Sequence, residues 1–243
     1  VYLNQGSLRL DFMTTVDWKE KHRMLRVSFP VNINSEMAAF DIQYGFVKRP
    51  THKNTSWEQA KFEVAAHRYA DLSDSDKGVA LLNDCKYGHH IHGNTIDLNL
   101  LRSPNNPDPD ADQGIHKFTY FLLPHNHDLI RSDVISQAAQ VNQGLMMFTG
   151  KQIEQLQIPF ELNGRGVSVE SFKKGEKGDC HILRILETLG RHSQAELKTE
   201  GFSSMIETDL LEWENMEQWS ASTPLSLSFS PFEIRTFKLM LKK

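Results

Sequence analysis

The sequence predicts an all-β fold of packed antiparallel sheets, and three observations carry that expectation. Apolar and polar residues alternate with period two at about a dozen places, the pattern of strands that lay one face on a core. Glycine, asparagine and proline punctuate those runs at the spacing of turns. Only one window reads convincingly as helix, and no repeat or low-complexity run appears.

Taken in order, residues 8–12, 25–29 and 40–44 alternate cleanly, the last ending before Gly45. Further strands are expected at 61–66, 78–82, 95–101 and 117–122. Tyr87-Gly88 and Gly93-Asn94 mark turns between the second and third of these. Arg102 to Asp110 is the sharpest loop, because Pro104, Pro107 and Pro109 fix φ and remove ladder donors. The helix is expected to start with Ser132 as N-cap and Asp133 in its first turn, and to stop at Gly144. After a boundary near 151–157, strands are expected at 157–162, 166–172, 181–187, 204–212, 225–229 and 232–241. Asn163-Gly164 has the composition of a tight hairpin turn. The expected domains are therefore 1–156 and a smaller 157–243.

Composition narrows the function classes. The 243 residues are 39% hydrophobic and 24% charged, which excludes an intrinsically disordered chain. A net charge of −4 and a pI near 6.3 supply no basic field, so nucleic acid is not an expected partner. The longest apolar runs, such as 79–82, fall far short of a bilayer span, so no membrane is expected either. No basic n-region with an apolar stretch opens the chain. Cys85 and Cys180 form no disulfide framework or metal pair and read as buried free thiols in a reducing compartment, the cytoplasm.

Several side-chain groups invite chemistry without completing it. On a strand, His90 and His92 of the run His89-His90-Ile91-His92 would share a face at a workable metal-ligand spacing, as would His125 and His127; the alternative is solvated turn residues. The acidic run from Asp108 to Gly114 resembles the start of a calcium loop, but its glycine comes one position late and Thr119 stands where the bidentate glutamate belongs. No nucleophile elbow or phosphate cradle is present. Trp18, Trp57, Trp213 and Trp219 are candidate sugar platforms, with core packing the stronger expectation for each.

Longer motifs are more specific. Arg49-Pro50-Thr51-His52-Lys53-Asn54-Thr55-Ser56-Trp57 is followed by Phe62-Glu63-Val64-Ala65-Ala66-His67-Arg68-Tyr69-Ala70-Asp71-Leu72-Ser73. Then come Gly78-Val79-Ala80-Leu81-Leu82-Asn83-Asp84-Cys85-Lys86-Tyr87-Gly88 and Leu100-Leu101-Arg102-Ser103-Pro104. Pro107-Asp108-Pro109-Asp110-Ala111-Asp112-Gln113-Gly114-Ile115-His116-Lys117-Phe118-Thr119-Tyr120 and Pro124-His125 close the series. In this order they resemble the C-terminal part of glycoside hydrolase family 38, the α-mannosidases, of the cytosolic and bacterial type. Phe229-Ser230-Pro231-Phe232-Glu233 resembles that family's small closing sandwich.

The resemblance implies a large galactose-mutarotase-like β-sandwich, with further family strands expected before Val1, followed by a small terminal β-sandwich. It implies a parent enzyme that is a retaining α-mannosidase with two catalytic aspartates. A zinc ion there is held by histidine and aspartate in an upstream barrel of the same polypeptide. No position in this chain matches those motifs, so no catalytic residue, metal ligand or cofactor is assigned to it. The start at Val1 accordingly reads as the back portion of a longer enzyme. The family-like loops 83–88 and 102–116 are the expected contributors to the substrate cleft. Their candidate residues are Asn83, Asp84, Lys86, Tyr87, Arg102, Asp110, Asp112 and His116. Arg102 would donate to sugar hydroxyls and Asp110 or Asp112 accept from them, or else Arg102 pairs with one of these aspartates and shapes the loop. The expected partners are an α-mannoside or oligosaccharide and the upstream barrel. The alternatives are an independent carbohydrate-binding module and a domain that assembles homo-oligomers.

Overall fold

The computed structural model of the protein describes residues 1–144, 149–150 and 158–242. The chain divides into two compact units, Val1–Met146 and Met147–Lys243. The domain boundary expected at 156/157 lies outside the described residues. Among the described residues strands far outweigh helix and pair in antiparallel sheets, so the chain is all-β.

The first unit contains β1 (Tyr2–Leu3), β2 (Leu10–Trp18), β3 (Met24–Pro30), β4 (Met37–Ile42) and β5 (Gly45–Pro50). These are followed by β6 (Val64–Ala65), β7 (Tyr69–Ser73), β8 (Lys77–Asn83), β9 (Gly88–His92), β10 (Thr95–Arg102) and β11 (Gly114–Asn126). A seven-stranded sheet runs β1-β2-β11-β8-β7-β4-β5 and a four-stranded sheet β3-β10-β9-β6. Leu72 and Leu81 from the first sheet and Ile96 and Leu98 from the second meet in the core between them. Alternation then sends Ala80, Leu82, Phe121 and Leu123 to the outer face of the large sheet. That face is covered by Leu129, Val134 and Ala138, the last two from helix α2 (Val134–Asn142). Strand β8 is thus buried on both faces, which is why its sequence reads as an apolar run rather than a strict alternation.

Three expectations are corrected here. The residues expected as a strand at 61–66 form only the two-residue β6. A capping box at Thr55 and Glu58, with Glu58 N donating to Thr55 Oγ1 (3.2 Å) and Thr55 N to Glu58 Oε2 (2.9 Å), first turns the chain into the helical turn α1 (Ser56–Gln59). The N-cap of α2 is Asp133, without a side-chain cap bond, while Ser132 Oγ accepts from Val134 N at 3.3 Å. Cys85 is exposed rather than buried; partial shielding and Asp84 beside it still push its thiol up to about 11, so it is protonated at neutral pH.

The second unit contains β12 (Phe160–Asn163), β13 (Val167–Lys174), β14 (Cys180–Glu187), β15 (Ser193–Thr199), β16 (Phe202–Thr208), β17 (Asn215–Ser220), β18 (Leu225–Phe229) and β19 (Ile234–Leu241). Sheets β12-β15-β18 and β13-β14-β19-β16-β17 enclose Leu183, Leu197, Phe229 and Phe237. Asn163-Gly164 is not a hairpin: β12 pairs with β15 and β13 with β14, so the turn carries the chain from one sheet to the other. Gly164 is required by close approach, since a Cβ there would lie 2.6 Å from Ala195 Cβ and 2.7 Å from Gln194 O. Strand β16 stops at Thr208 rather than 212 because Asp209 Oδ1 accepts from Trp213 N (2.7 Å) and Glu214 N (3.1 Å). At the far end of β14 the fully buried Glu187 holds a turn together. Its oxygens accept from the backbone N–H of Leu189 (3.0 Å), Gly190 (2.8 Å), Arg191 (3.3 Å) and Phe232 (2.9 Å), and from Ser193 Oγ (3.1 Å). No helix of the described residues is long and apolar enough to cross a membrane.

Candidate functional site

The two loops singled out in the sequence share one strand. Strand β11 pairs with β2 from Gly114 to Leu122, but with β8 only from Tyr120 onward, so its first residues run past the end of β8 as a ribbon with β2. The turn after β8 folds alongside Phe118 and Thr119, and the loop after β10 leads into Gly114.

In the first loop, Asn83 is buried and fully engaged. Its Nδ2 donates to His67 O (2.9 Å) and its Oδ1 accepts from Lys86 N (2.7 Å), which closes the turn. Asp84 is exposed, and its Oδ2 accepts from Thr119 N at 2.9 Å, satisfying a β11 donor beyond the reach of β8. Lys86 lays its ammonium over the Phe118 ring, 4.5 Å from the centroid. Tyr87 is 57% exposed, its ring edge-on to His67 at 5.7 Å. Of this set, Asp84, Lys86 and Tyr87 present polar atoms outward, while Asn83 shapes the loop.

The second loop is closed by Asp112, which sits at φ +60°. Its Oδ2 accepts from the backbone N of Arg102 (2.9 Å) and its carbonyl faces His116 Nε2 (2.9 Å). The aspartate therefore engages Arg102 through the main chain, leaving the guanidinium on an exposed side chain outside any ion pair among the described residues. Asp110 reaches away to Lys21 Nζ at 3.0 Å, and Asp108 Oδ1 accepts from Asp110 N at 2.9 Å. The acidic run is thus spent on separate partners rather than gathered. The structure brings Arg102, Asp112 and His116 together; about 10 Å of strand separates His116 from Thr119 and the Asp84 set.

The histidine run falls on β9, where alternation splits it. His89 is fully buried, His90 Nδ1 lies 2.8 Å from Asp97 Oδ2, and the rings of His90 and His92 stack at 6.1 Å. His125 pairs with Asp71 instead, Nε2 to Oδ1 at 2.7 Å, on buried side chains. Among the described residues no three His, Cys, Asp or Glu side chains gather as a metal site. Trp18 donates to Ser103 Oγ and Trp219 packs on Phe237, whereas Trp57 and Trp213 are 81% and 73% exposed. Sequence reasoning passed over the individual roles of Arg49 and His89, which line one cavity of the first unit; their only signal was membership of the 49–57 motif and of the histidine run.

Comparison with known proteins gives a consistent assignment. Residues 1–110 match the family described as "Glycosyl hydrolases family 38 C-terminal domain", and residues 166–237 match "Glycosyl hydrolases family 38 C-terminal beta sandwich domain". The chain is 38% identical over 249 residues to Alpha-mannosidase G of Dictyostelium discoideum, covering 99% of this chain and 23% of that protein. It is 39% identical over 252 residues to Alpha-mannosidase 2C1 of Mus musculus, covering 100% and 24%. The chain thus spans about a quarter of the length of these curated relatives. The crystal structure of an alpha-mannosidase from Enterococcus faecalis V583 shares the fold, with TM-score 0.82 and 22% identity over 98% of this chain and 28% of that one.

Proposed function

The chain belongs to glycosyl hydrolase family 38, as its C-terminal β-sandwich region, and from that premise we propose that it is the non-catalytic portion of a retaining α-mannosidase that hydrolyses terminal α-mannosides. The observation that carries this reading is that both matched family descriptions are C-terminal domains, in order, while relatives named alpha-mannosidase align along the whole chain. Retaining glycoside hydrolysis needs two carboxyl groups across one scissile bond, about 5 Å apart. The aspartates of the candidate loops are instead committed to Lys21, to Thr119 N and to Arg102 N.

The role left to these residues is to shape one wall of the substrate cleft. Strand β11 gives both loops a rigid base. From it Arg102 and Tyr87 offer an exposed guanidinium and phenol to sugar hydroxyls, and Asp84 and Asp112 keep acceptor lone pairs available. Zinc, which the family resemblance implies for the whole enzyme, does not fit a donor set among the described residues and belongs to the upstream barrel in this reading. The free Cys85 and Cys180 support a reducing, cytoplasmic setting.

The test is direct. Pure protein of residues 1–243, supplied with zinc, is expected to release no detectable phenol from an aryl α-mannoside. Turnover that survives repurification would overturn the assignment of catalysis to another part of the polypeptide.

A further inference from the structure

A cavity of about 50 Å³ opens in the first unit between residues of β4, β5, β6, β9 and the segment around α1. That volume accommodates a few waters or one small polar group, not a sugar ring. Its lining includes Arg49, His52, Lys53, Lys61, His89 and His90. Two carboxylates also line it, and both are already engaged. Glu58 Oε2 accepts from Asn54 N (2.7 Å) and Thr55 N (2.9 Å), and Glu63 pairs with Arg26. Arg49, Lys53 and Lys61 make no ion pair among the described residues. Glu58 keeps its negative charge, 3.6 Å from His52 Nδ1, and Glu63 is balanced by Arg26, so the lining retains a net positive charge.

Three lining residues each hold a buried polar atom without a hydrogen-bond partner: Arg49 Nη1, His89 Nδ1 and His90 Nε2. Such groups are rare in folded proteins, because each loses its hydration without replacement. The tautomer of His89 follows from its neighbour. Asn83 is oriented by accepting from Lys86 N and donating to His67 O, so its Nδ2 also points a donor at His89 Nε2, 3.4 Å away. His89 Nε2 is then the acceptor, and Nδ1 carries the proton. Arg49 Nη1 and His89 Nδ1 are therefore two orphaned donors on a fully buried histidine and on a guanidinium braced over the Phe40 ring at 4.9 Å.

From this geometry we propose that the Arg49–His89 cavity is a binding site for a small oxyanion, a carboxylate or phosphate group. Two orphaned N–H donors in a lining of net positive charge fit negatively charged oxygens, and the half-buried Arg49 supplies the charge-assisted bond. His90 also lines the cavity, but its Nδ1 donates to Asp97, which leaves Nε2 an acceptor in the neutral ring, so the two donors are those of Arg49 and His89. The site is separate from the cleft loops, and Asn83 links the two by setting the His89 tautomer.

Histidine-labelled protein titrated at constant pH and ionic strength, with chloride replaced by inorganic phosphate or by acetate, tests this. The His89 ring resonances are expected to shift saturably with one or both anions while His125, on the other face of the large sheet, stays fixed. The tighter anion distinguishes a phosphate from a carboxylate source. Arg49→Met is expected to weaken the interaction about tenfold or more. Lys61→Ala, at an exposed position that leaves the fold intact, is expected to weaken it by a smaller factor. No saturation with either anion means that water alone fills the cavity and overturns the proposal. Equal response to chloride, or unchanged affinity in both variants, overturns it as well.

Discussion

His89 and His125 are both buried histidines of the first unit, yet they respond to acid with opposite sign. Burial pushes His89 down from its ordinary 6.5 to about 4. The unfolded chain takes up a proton there below about 6.5 and the folded chain does not. The stability His89 contributes is therefore present above 6.5 and lost as pH falls toward 4, by on the order of 3 kcal/mol. For His125, burial also disfavours the charge, but the hydrogen bond and field of Asp71 outweigh it and raise the value above 6.5. Its contribution is fully present below 6.5 and disappears as pH rises through the raised folded value. Urea unfolding across pH 4.5 to 8.5 checks both: His89→Asn is expected to flatten the acid-side loss, and His125→Gln to remove stability mainly at the acid end. In the second unit, Glu187→Gln replaces one acceptor oxygen with an NH₂ that faces backbone donors. A loss of about 3 kcal/mol or more is expected by the same measurement; a change under 1 kcal/mol would mean that the turn relaxes around the amide.

At the scale of elements, Asp112 is the residue that ties the two ends of the loop from 102 to 116 to each other. Asp112→Ala removes the acceptor for Arg102 N and leaves a β-carbon in the left-handed region, so a melting temperature lower by about 2–4 °C is expected. Asp112→Asn keeps an acceptor, tolerates that φ and is expected to melt near the parent value; equal losses in both would assign the effect to charge instead. Strand content was legible at β2 and β3, where one face meets a core and the other solvent. Strand β15 has the same alternating burial, but its Ser193, Ala195 and Glu196 give too little hydropathy contrast, and no strand was expected there. Strand content was also less legible at β7, whose residues are buried on both faces, and at the exposed β17, whose sequence holds little alternation. Asn163-Gly164 misled because a two-residue turn encodes tightness but not which sheet receives the next strand. The candidate loops were found through their motifs, while the partner of each side chain was not. Asp112 reaching a main-chain N–H rather than a guanidinium is set by tertiary placement, to which spacing is blind.

For the molecule as a whole, each unit closes its own core, and among the described residues that of the second lies within residues 160–241. A fragment of residues 158–243 is accordingly expected to unfold cooperatively by circular dichroism, with an enthalpy proportionate to its length. A broad, non-cooperative melt would show that it needs the first unit. The first unit assembles under a different constraint, and strand β2 makes it plain. Leu10 is paired with Leu122, a separation that makes the loop-closure step slow relative to local hairpins. During synthesis at about 5–20 residues per second, β2 waits on the order of ten seconds before β11 exists. Throughout that interval β1 covers only Leu10 and Asp11, and the rest of the alternating strand, Phe12 to Trp18, stays unpaired. Met13, which stays 68% exposed even in the finished sheet, adds to its apolar surface. Faster translation through residues 10–122 would shorten this vulnerable period, and a stall before 114 would prolong it, making yield of the intact protein a property of ribosome speed as much as of final stability.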